Sequence, residues 1–377
     1  MADFLDYLKW RGDLSFDESP FCQVDALLLC QLSYLNFDGI LGSSFGDGIS
    51  LDVLAEEFRS SPDFQTRSYM GMVINSRTPE LLAECGRSRR FSSVVVCGYV
   101  PVLDSGREEQ FCAMTFRVGR NVSAVVFRGT DDTLAGWKED FNISYMEQIP
   151  SQADALGYFV RAASELRGKF ICAGHSKGGN VALYAAVLCP RRIQDRIISV
   201  YNFDGPGFPT EFFRGDGFLR LADRLHSFYP EFSIVGMIFS HYERYTVVRS
   251  SEFAIMQHDA FSWQIEGAAL VAAGDFTDES KFFYKTFNGW VTDISRDDRK
   301  RFVDALFAVL YASDARTNTE LDEDKLRASA KMLRAMKELD PETRDSVRAI
   351  LRLLVRVAKS NLPIVNVLGG LFPAAKK

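Results

Sequence analysis

Residues 169–186 read Lys-Phe-Ile-Cys-Ala-Gly-His-Ser-Lys-Gly-Gly-Asn-Val-Ala-Leu-Tyr-Ala-Ala, a short apolar run joined to a helical pattern through Gly174-His175-Ser176-Lys177-Gly178. No other stretch restricts the fold so tightly. A serine on so sharp a strand-to-helix turn needs small residues two before and two after it, where strand and helix cross at close range; Gly174 and Gly178 meet that need. The flanks agree with this reading. Phe170-Ile171-Cys172-Ala173 has the character of a buried strand, and Val181, Ala182, Tyr184, Ala185 and Leu188 recur as one helix face. Such a turn lifts Ser176 above the sheet edge, with the Lys177 N–H at the start of the helix facing any oxyanion that develops there. Ser176 is the candidate nucleophile and Lys177 a candidate oxyanion donor.

Around this turn the chain alternates between two textures. Runs at 93–100, 110–117 and 123–128 read as a β-meander divided by Asp-Ser-Gly and Gly-Arg-Asn turns. Helical patterns at 134–146, 151–167 and 178–188 then alternate with strands at 169–173, 197–203, 224–229 and 244–250. That alternation predicts an α/β fold with a mostly parallel sheet flanked by helices. Residues 1–90 are mainly helical, with apolar patterns at 25–34 and 51–58, and are expected to pack on a core spanning 91–292. Arg87-Ser-Arg-Arg90 is expected to be a solvated loop. Residues 293–377 form a charge-rich helical appendage, with helices expected at 297–311, 322–339 and 341–360. Its apolar stripes, Phe302, Ala305, Leu306, Val309 and Leu310, then Val347, Ile350, Leu351 and Leu354, must be buried against something.

Composition narrows the classes of function. The chain has 377 residues, 47% of them hydrophobic and 25% charged, the balance of a globular protein with a large core. Net charge is −6 and the basic residues are scattered among acids, so nucleic acid is not an expected partner. Seven cysteines show no Cys-x-x-Cys pairing and mostly sit in apolar runs, which argues for small core residues rather than a zinc site or a disulfide framework. Residues 1–11 carry acids instead of a basic start, unlike a signal peptide. The most apolar stretches, 233–239 and 267–274, fall short of the ~20 residues that cross a bilayer. A cytoplasmic location without an integral membrane segment is the expectation; an oligomer is compatible with it.

Ser176 needs a base, and only four histidines exist. His175 adjoins the nucleophile and should point away from its hydroxyl, His226 begins a strand, and His241 lies in Phe239-Ser-His-Tyr. His258, in Met256-Gln-His-Asp-Ala-Phe-Ser-Trp263, follows the last expected strand, where the histidine of a serine hydrolase of this topology falls. For the acid, Asp204 in Tyr201-Asn-Phe-Asp-Gly-Pro-Gly-Phe208 stands just past the strand after the nucleophile helix; it is also a natural turn residue. Glu231, after the next strand, is the rival. Asp259 is too close to His258 in sequence.

Val125-Val-Phe-Arg-Gly-Thr-Asp-Asp-Thr-Leu-Ala-Gly-Trp-Lys-Glu-Asp140 carries a resemblance. Phe-Arg-Gly-Thr followed by Trp-x-x-Asp, and then Gly-His-Ser-x-Gly-Gly, resembles the fungal-type triacylglycerol lipases of the α/β-hydrolase superfamily over roughly residues 93–263. The resemblance implies an α/β-hydrolase fold and an oxyanion-hole residue near Asp131 or Asp132, where the family usually has serine or threonine. An acid there could act only through its backbone N–H. The family's catalytic acid lies in an Asp-Ile-Val-Pro-like segment, where this chain reads Ser233-Ile-Val-Gly236, which moves the role to Asp204. Gly-His-Ser-Lys-Gly-Gly-Asn, with Asp-Gly-Pro-Gly-Phe and Gln-His-Asp, is also similar to a group of bacterial lipase-like proteins.

The expected activity is hydrolysis of a small-molecule ester, acyl or lipid-like, through Ser176, His258 and Asp204, with no metal and no organic cofactor. Phe208, Phe212 and Phe213 cluster after the candidate acid and are expected to line an acyl pocket. The alternative is a non-catalytic hydrolase-fold protein serving as a binding or regulatory module.

Overall fold

The computed structural model describes residues 2–348 except 70, 72, 73, 243 and 324. Its main sheet runs in chain order: β1 (Ile49–Ser50), β2 (Val95–Asp104), β3 (Glu109–Gly119), β4 (Val122–Phe127), β5 (Lys169–His175), β6 (Ile197–Phe203), β7 (Leu225–Pro230) and β8 (Thr246–Val248). Neighbours from β1 to β4 are antiparallel, and those from β4 to β8 are parallel. The connections explain the change of sense. Tight turns after β2 and β3 can only reverse the chain, whereas the helices Pro150–Glu165 and Lys177–Leu188 carry it back across the sheet for parallel pairing.

Alternation along the central strands sorts side chains into two cores. Ala124, Val126, Ile171, Ala173 and Phe203 face the N-terminal helix Gln23–Leu32. Val125, Phe127, Phe170, Cys172 and Val200 face the helices Pro150–Glu165 and Lys177–Leu188. Six of the seven cysteines are buried. The mostly parallel sheet, helices on both faces and a serine turn at the end of β5 make an α/β-hydrolase fold. No described helix is long and apolar enough to cross a membrane.

Two segments differ from expectation. Arg90 is wholly buried rather than solvated: its guanidinium donates to Asp25 Oδ1 at 2.7 Å and Oδ2 at 2.5 Å and to the Ser19 carbonyl at 3.0 Å. Asp25 also accepts from the Tyr7 hydroxyl at 2.7 Å and the Cys22 N–H at 2.8 Å, so the pair is fully hydrogen-bonded and ties the N-terminal helices to the start of the sheet. The helix Asp278–Asp293 was not foreseen; Thr277 caps it by accepting the Ser280 N–H.

The helix Arg296–Tyr311 buries Phe302, Leu306, Val309 and Leu310, and its cluster takes in Leu134 of the helix Leu134–Asn142. Backbone bonds reinforce the contact, from the Leu134 N–H to the Arg316 carbonyl at 2.8 Å and from the Asn318 N–H to the Asp132 carbonyl at 2.9 Å. Val347 is buried in the same cluster, while Ile350, Leu351 and Leu354, with the rest of residues 349–377, lie outside the described residues. A chain ended at Asp293 loses this cover over Leu134, and each uncovered core side chain is worth about 1.5–3 kcal/mol. It is expected to precipitate or to unfold at markedly lower urea. A soluble truncation with an unchanged urea midpoint would contradict the packing role.

Candidate active site

Ser176 sits at φ 58° and ψ −137°, a conformation a non-glycine residue holds only when its surroundings impose it. The surroundings are the two glycines. A Cβ on Gly174 would stand 2.0 Å from the Gly178 carbonyl oxygen, and one on Gly178 would stand 2.1 Å from that of Phe127. Strand β5 and the elbow helix Lys177–Leu188 thus touch backbone to backbone, and the chain between them must turn sharply. The Ser176 N–H donates to the Phe203 carbonyl at 2.8 Å, which fixes the turn against the end of β6.

That end of β6 carries Asp204, itself at φ 51° and completely buried. Its Oδ2 lies 2.6 Å from His258 Nδ1, and its Oδ1 accepts the Ser233 hydroxyl at 2.5 Å. Ser233, in the Ser-Ile-Val-Gly segment, thus puts its hydroxyl on the carboxylate that holds His258. The glycine three residues on fits the same arrangement, since a Cβ on Gly236 would come within 2.3 Å of Asp204 Oδ1. Ser233 in turn is held by Ser280, whose hydroxyl donates to the Ser233 carbonyl at 2.7 Å. The Asp-Gly-Pro-Gly turn is gripped by the elbow helix, where Asn180 Nδ2 donates to the carbonyls of Pro206 and Gly207 at 3.1 Å each.

Both neighbours of His258 in Gln-His-Asp are anchored by hydrogen bonds. Gln257 Oε1 accepts the Phe232 N–H at 2.8 Å, and its carbonyl accepts the buried Trp263 indole N–H at 2.8 Å. Asp259 accepts the Phe261 N–H at 3.0 Å and Asn75 Nδ2 at 2.6 Å. The His258 imidazole is 22% exposed at its side chain, so one edge is open while the other is pinned to Asp204.

Ser176 and His258 open onto one cavity of about 200 Å³, whose apolar wall includes Ile234, Ile238, Phe239, Phe283, Phe287 and Phe302. Its polar members include Thr130 and Asp140. The Thr130 hydroxyl donates to Asp140 Oδ2 at 2.7 Å, and the buried Oδ1 accepts no hydrogen bond among the described residues. Loss of solvation pushes the Asp140 carboxyl up to about 6, against the pull of the Lys177 ammonium and the Thr130 hydroxyl. The Lys177 side chain runs away from the cavity into the interior. Its Nζ donates to Glu139 Oε2 and to the Gln110 carbonyl, each at 2.6 Å, in a wholly buried pair that locks the elbow helix to the helix Leu134–Asn142. Glu139 is completed by the Ser151 N–H at 2.8 Å and hydroxyl at 2.7 Å, which is what lets such a pair persist without water.

Several expected residues lie elsewhere. Phe208 and Phe212 stack with centroids 3.9 Å apart, and with Phe213 they pack against Phe218, Tyr184 and Tyr242 in the core beneath the elbow helix, so none of the three lines the cavity. Asp131 and Asp132 do not line it either, and their side chains are engaged elsewhere. Asp131 Oδ1 accepts the Thr133 N–H at 2.9 Å, and Asp132 Oδ2 accepts the Thr319 N–H at 3.1 Å, because the helix at Leu134 and the segment docking on it need those acceptors. Thr130, one residue earlier, is the member of that turn on the cavity wall. Among the described residues Glu231 makes no hydrogen bond to His258; its backbone joins Val248 and Thr277. His226 stacks on Tyr201 and His241 lies against Tyr229, where burial lowers its basicity to about 4. The cavity-lining Phe283 and Phe287 were missed, although Thr277-Asp278-Glu279 is a helix-start signal with an apolar stripe behind it.

The raised Asp140 carboxyl has a stability consequence of definite sign. Its folded pKa of about 6 exceeds the ordinary 3.8, so the folded state binds the proton more tightly than the unfolded chain. The cost of ionising it grows as pH rises from 4 to 6 and is fully present at pH 7, up to about 3 kcal/mol. Asp140→Asn is therefore expected to raise stability toward urea at pH 7 by a large part of that amount and to change it little at pH 4. Equal effects at both pH values would contradict the assignment.

No curated protein matches the chain. Among solved structures, M37 lipase is 16% identical over 58% of this chain and 70% of its own, with a TM-score of 0.36. The native Rhizomucor miehei lipase propeptide complex is 14% identical over 56% and 74%, with a TM-score of 0.30. At those scores the fold class rests on this chain's own sheet and elbow. The Mbeg1-like family model spans residues 85–308, more than half of the 377, and the chain belongs to the Mbeg1-like family.

Proposed function

We propose that the protein is a serine hydrolase that cleaves esters of apolar acyl groups through a covalent acyl-enzyme. A hydrolase-type function is what the fold and the lipase-like family support. The observation that carries the finer reading is the 2.6 Å contact between His258 Nδ1 and Asp204 Oδ2 beside a strained serine on the same cavity. A carboxylate can only accept, so Nδ1 carries the proton and Nε2 presents its lone pair.

In this reading the Ser176 oxygen attacks the acyl carbonyl as His258 Nε2 takes its proton. The tetrahedral intermediate collapses, His258 returns the proton to the departing alcohol, and the same histidine activates water for the second half-reaction. No hydrogen bond joins the Ser176 hydroxyl to His258 among the described residues. In the reacting complex the two have to come to ~2.6–3.2 Å. Asp204 orients the imidazole and stabilises its cationic form. The oxyanion is met by the Lys177 N–H, which opens the elbow helix and has no intrahelical acceptor. The second donor is the Thr130 N–H, whose side chain is occupied by Asp140. This shifts the expected position from Asp131 or Asp132 to Thr130, one or two residues earlier. Ile234, Phe283 and Phe287 would receive the acyl chain in place of Phe208, Phe212 and Phe213. The division into residues 1–90, 91–292 and 293–377 is retained as a description of how the catalytic core is flanked.

Turnover of nitrophenyl esters by single variants tests the assignment. Asp204→Asn is expected to lose on the order of 10⁴ in kcat by favouring the wrong tautomer of His258, while Glu231→Gln stays near the parent rate. The reverse pattern would move the acid to Glu231, and absence of ester turnover in the parent protein would favour the non-catalytic binding module.

A further inference from the structure

His175 is not part of the reaction proposed above, yet its ring lies against His258 with centroids 4.6 Å apart. It is 5% exposed, and burial together with the nearby His258 depresses its basicity far below the usual value, so it is neutral. Its Nε2 is 2.9 Å from the His258 carbonyl oxygen, and its Nδ1 is 2.9 Å from the Tyr34 hydroxyl. These contacts determine where every proton sits. A carbonyl only accepts, so Nε2 carries the hydrogen and donates it; a neutral imidazole then has only a lone pair at Nδ1, so the Tyr34 hydroxyl donates to it.

Tyr34 follows the N-terminal helix Gln23–Leu32 and lies outside the family-matched residues 85–308. It is packed into the site from below. A Cβ on Gly129 would meet the Tyr34 hydroxyl at 2.3 Å, the His175 carbonyl at 2.5 Å and Ser176 Cβ at 2.9 Å. The glycine of Arg-Gly-Thr is thus the space through which the tyrosine reaches the elbow. The loop that His175 holds needs restraint, because it enters through Ala254 at φ 50° and continues as the short turn Ala254–His258.

We infer that Tyr34 and His175 form a directed hydrogen-bond relay that positions His258, so that the N-terminal segment completes the site rather than merely covering the sheet. The inference rests on the reading of His258 as the general base. Tyr34 and His175 are positioning residues: the hydroxyl donates to His175 Nδ1 and holds that ring in place, and the His175 N–H fixes the backbone from which the His258 ring reaches Asp204.

The test uses the full chain with Tyr34→Phe, His175→Phe and His175→Gln, the last keeping an N–H donor at a reach similar to Nε2. Nitrophenyl butyrate turnover, urea unfolding and the imidazole N–H signals of ¹⁵N-histidine-labelled protein are measured together. Tyr34→Phe and His175→Phe are expected to lower kcat on the order of 10- to 100-fold with KM little changed, and His175→Gln to recover most of the loss. The His258 Nδ1–H signal should broaden or vanish in the two Phe variants and persist in His175→Gln. Tyr34→Phe removes one oxygen and keeps the ring, so it decides the matter if His175→Phe does not fold. A folded Tyr34→Phe protein with parental kcat and an unchanged Nδ1–H signal would overturn the relay, as would equal losses in His175→Gln and His175→Phe. If the parent protein hydrolyses no ester, the hydrolase reading fails by itself. The Nδ1–H signal then decides the relay alone: its loss in Tyr34→Phe supports positioning, and its persistence overturns it.

Discussion

The backbone crossing of β5 and the elbow helix, with a Gly174 Cβ excluded by a carbonyl 2.0 Å away, sets the geometry of everything around it. Because the two elements touch, Ser176 is forced into its left-handed conformation and its side chain into the cavity. The same approach puts Lys177 at the start of the elbow helix and sends the lysine side chain into a dry ion pair with Glu139. Burying two charges costs several kcal/mol each, which here is offset by two carbonyl or amide oxygens around Lys177 and by Ser151 and Gln110 around Glu139. The pair contributes mainly registration: it holds the helix that carries Asp140 against the helix that presents Ser176.

Ser233 and Gly236 are fitted to one carboxylate, that of Asp204. Ser233 donates to Asp204, and Gly236, three residues on, has no side chain and leaves room for the Asp204 carboxylate. The helix Asp278–Asp293 joins this arrangement twice, through Ser280 behind Ser233 and through Phe283 and Phe287 on the cavity wall. The surroundings of the Asp204 carboxylate and the cavity wall are thereby coupled through one helix. A substitution that tilts it is felt at both.

Much of this was legible in the residues because local rules dictated it. The close approach at Gly174 and Gly178, the alternation through β4 and β5, and the parallel half of the sheet follow from backbone size and period alone. His258 and Asp204, brought within 2.6 Å, could be singled out because few histidines were available and because each strand end has a known place in such a sheet. The misplacements share a cause. Which side of a turn a residue faces is a tertiary fact: Asp131 and Asp132 were drawn off by Thr133 and Thr319, and Phe208 to Phe213 by the core under the elbow helix. Tyr34 reaches His175 across 141 positions of sequence, and no periodicity reports such a contact. Arg90 looked like part of a solvated basic loop until Asp25, 65 positions away, supplied its partner.

The most direct test of the account is to treat the purified protein with a fluorophosphonate and locate the adduct by peptide mass mapping. A phosphonate on the peptide containing Ser176, and its disappearance in Ser176→Ala, is the result the geometry predicts. An unlabelled parent protein, or an adduct that remains elsewhere in Ser176→Ala, would contradict it.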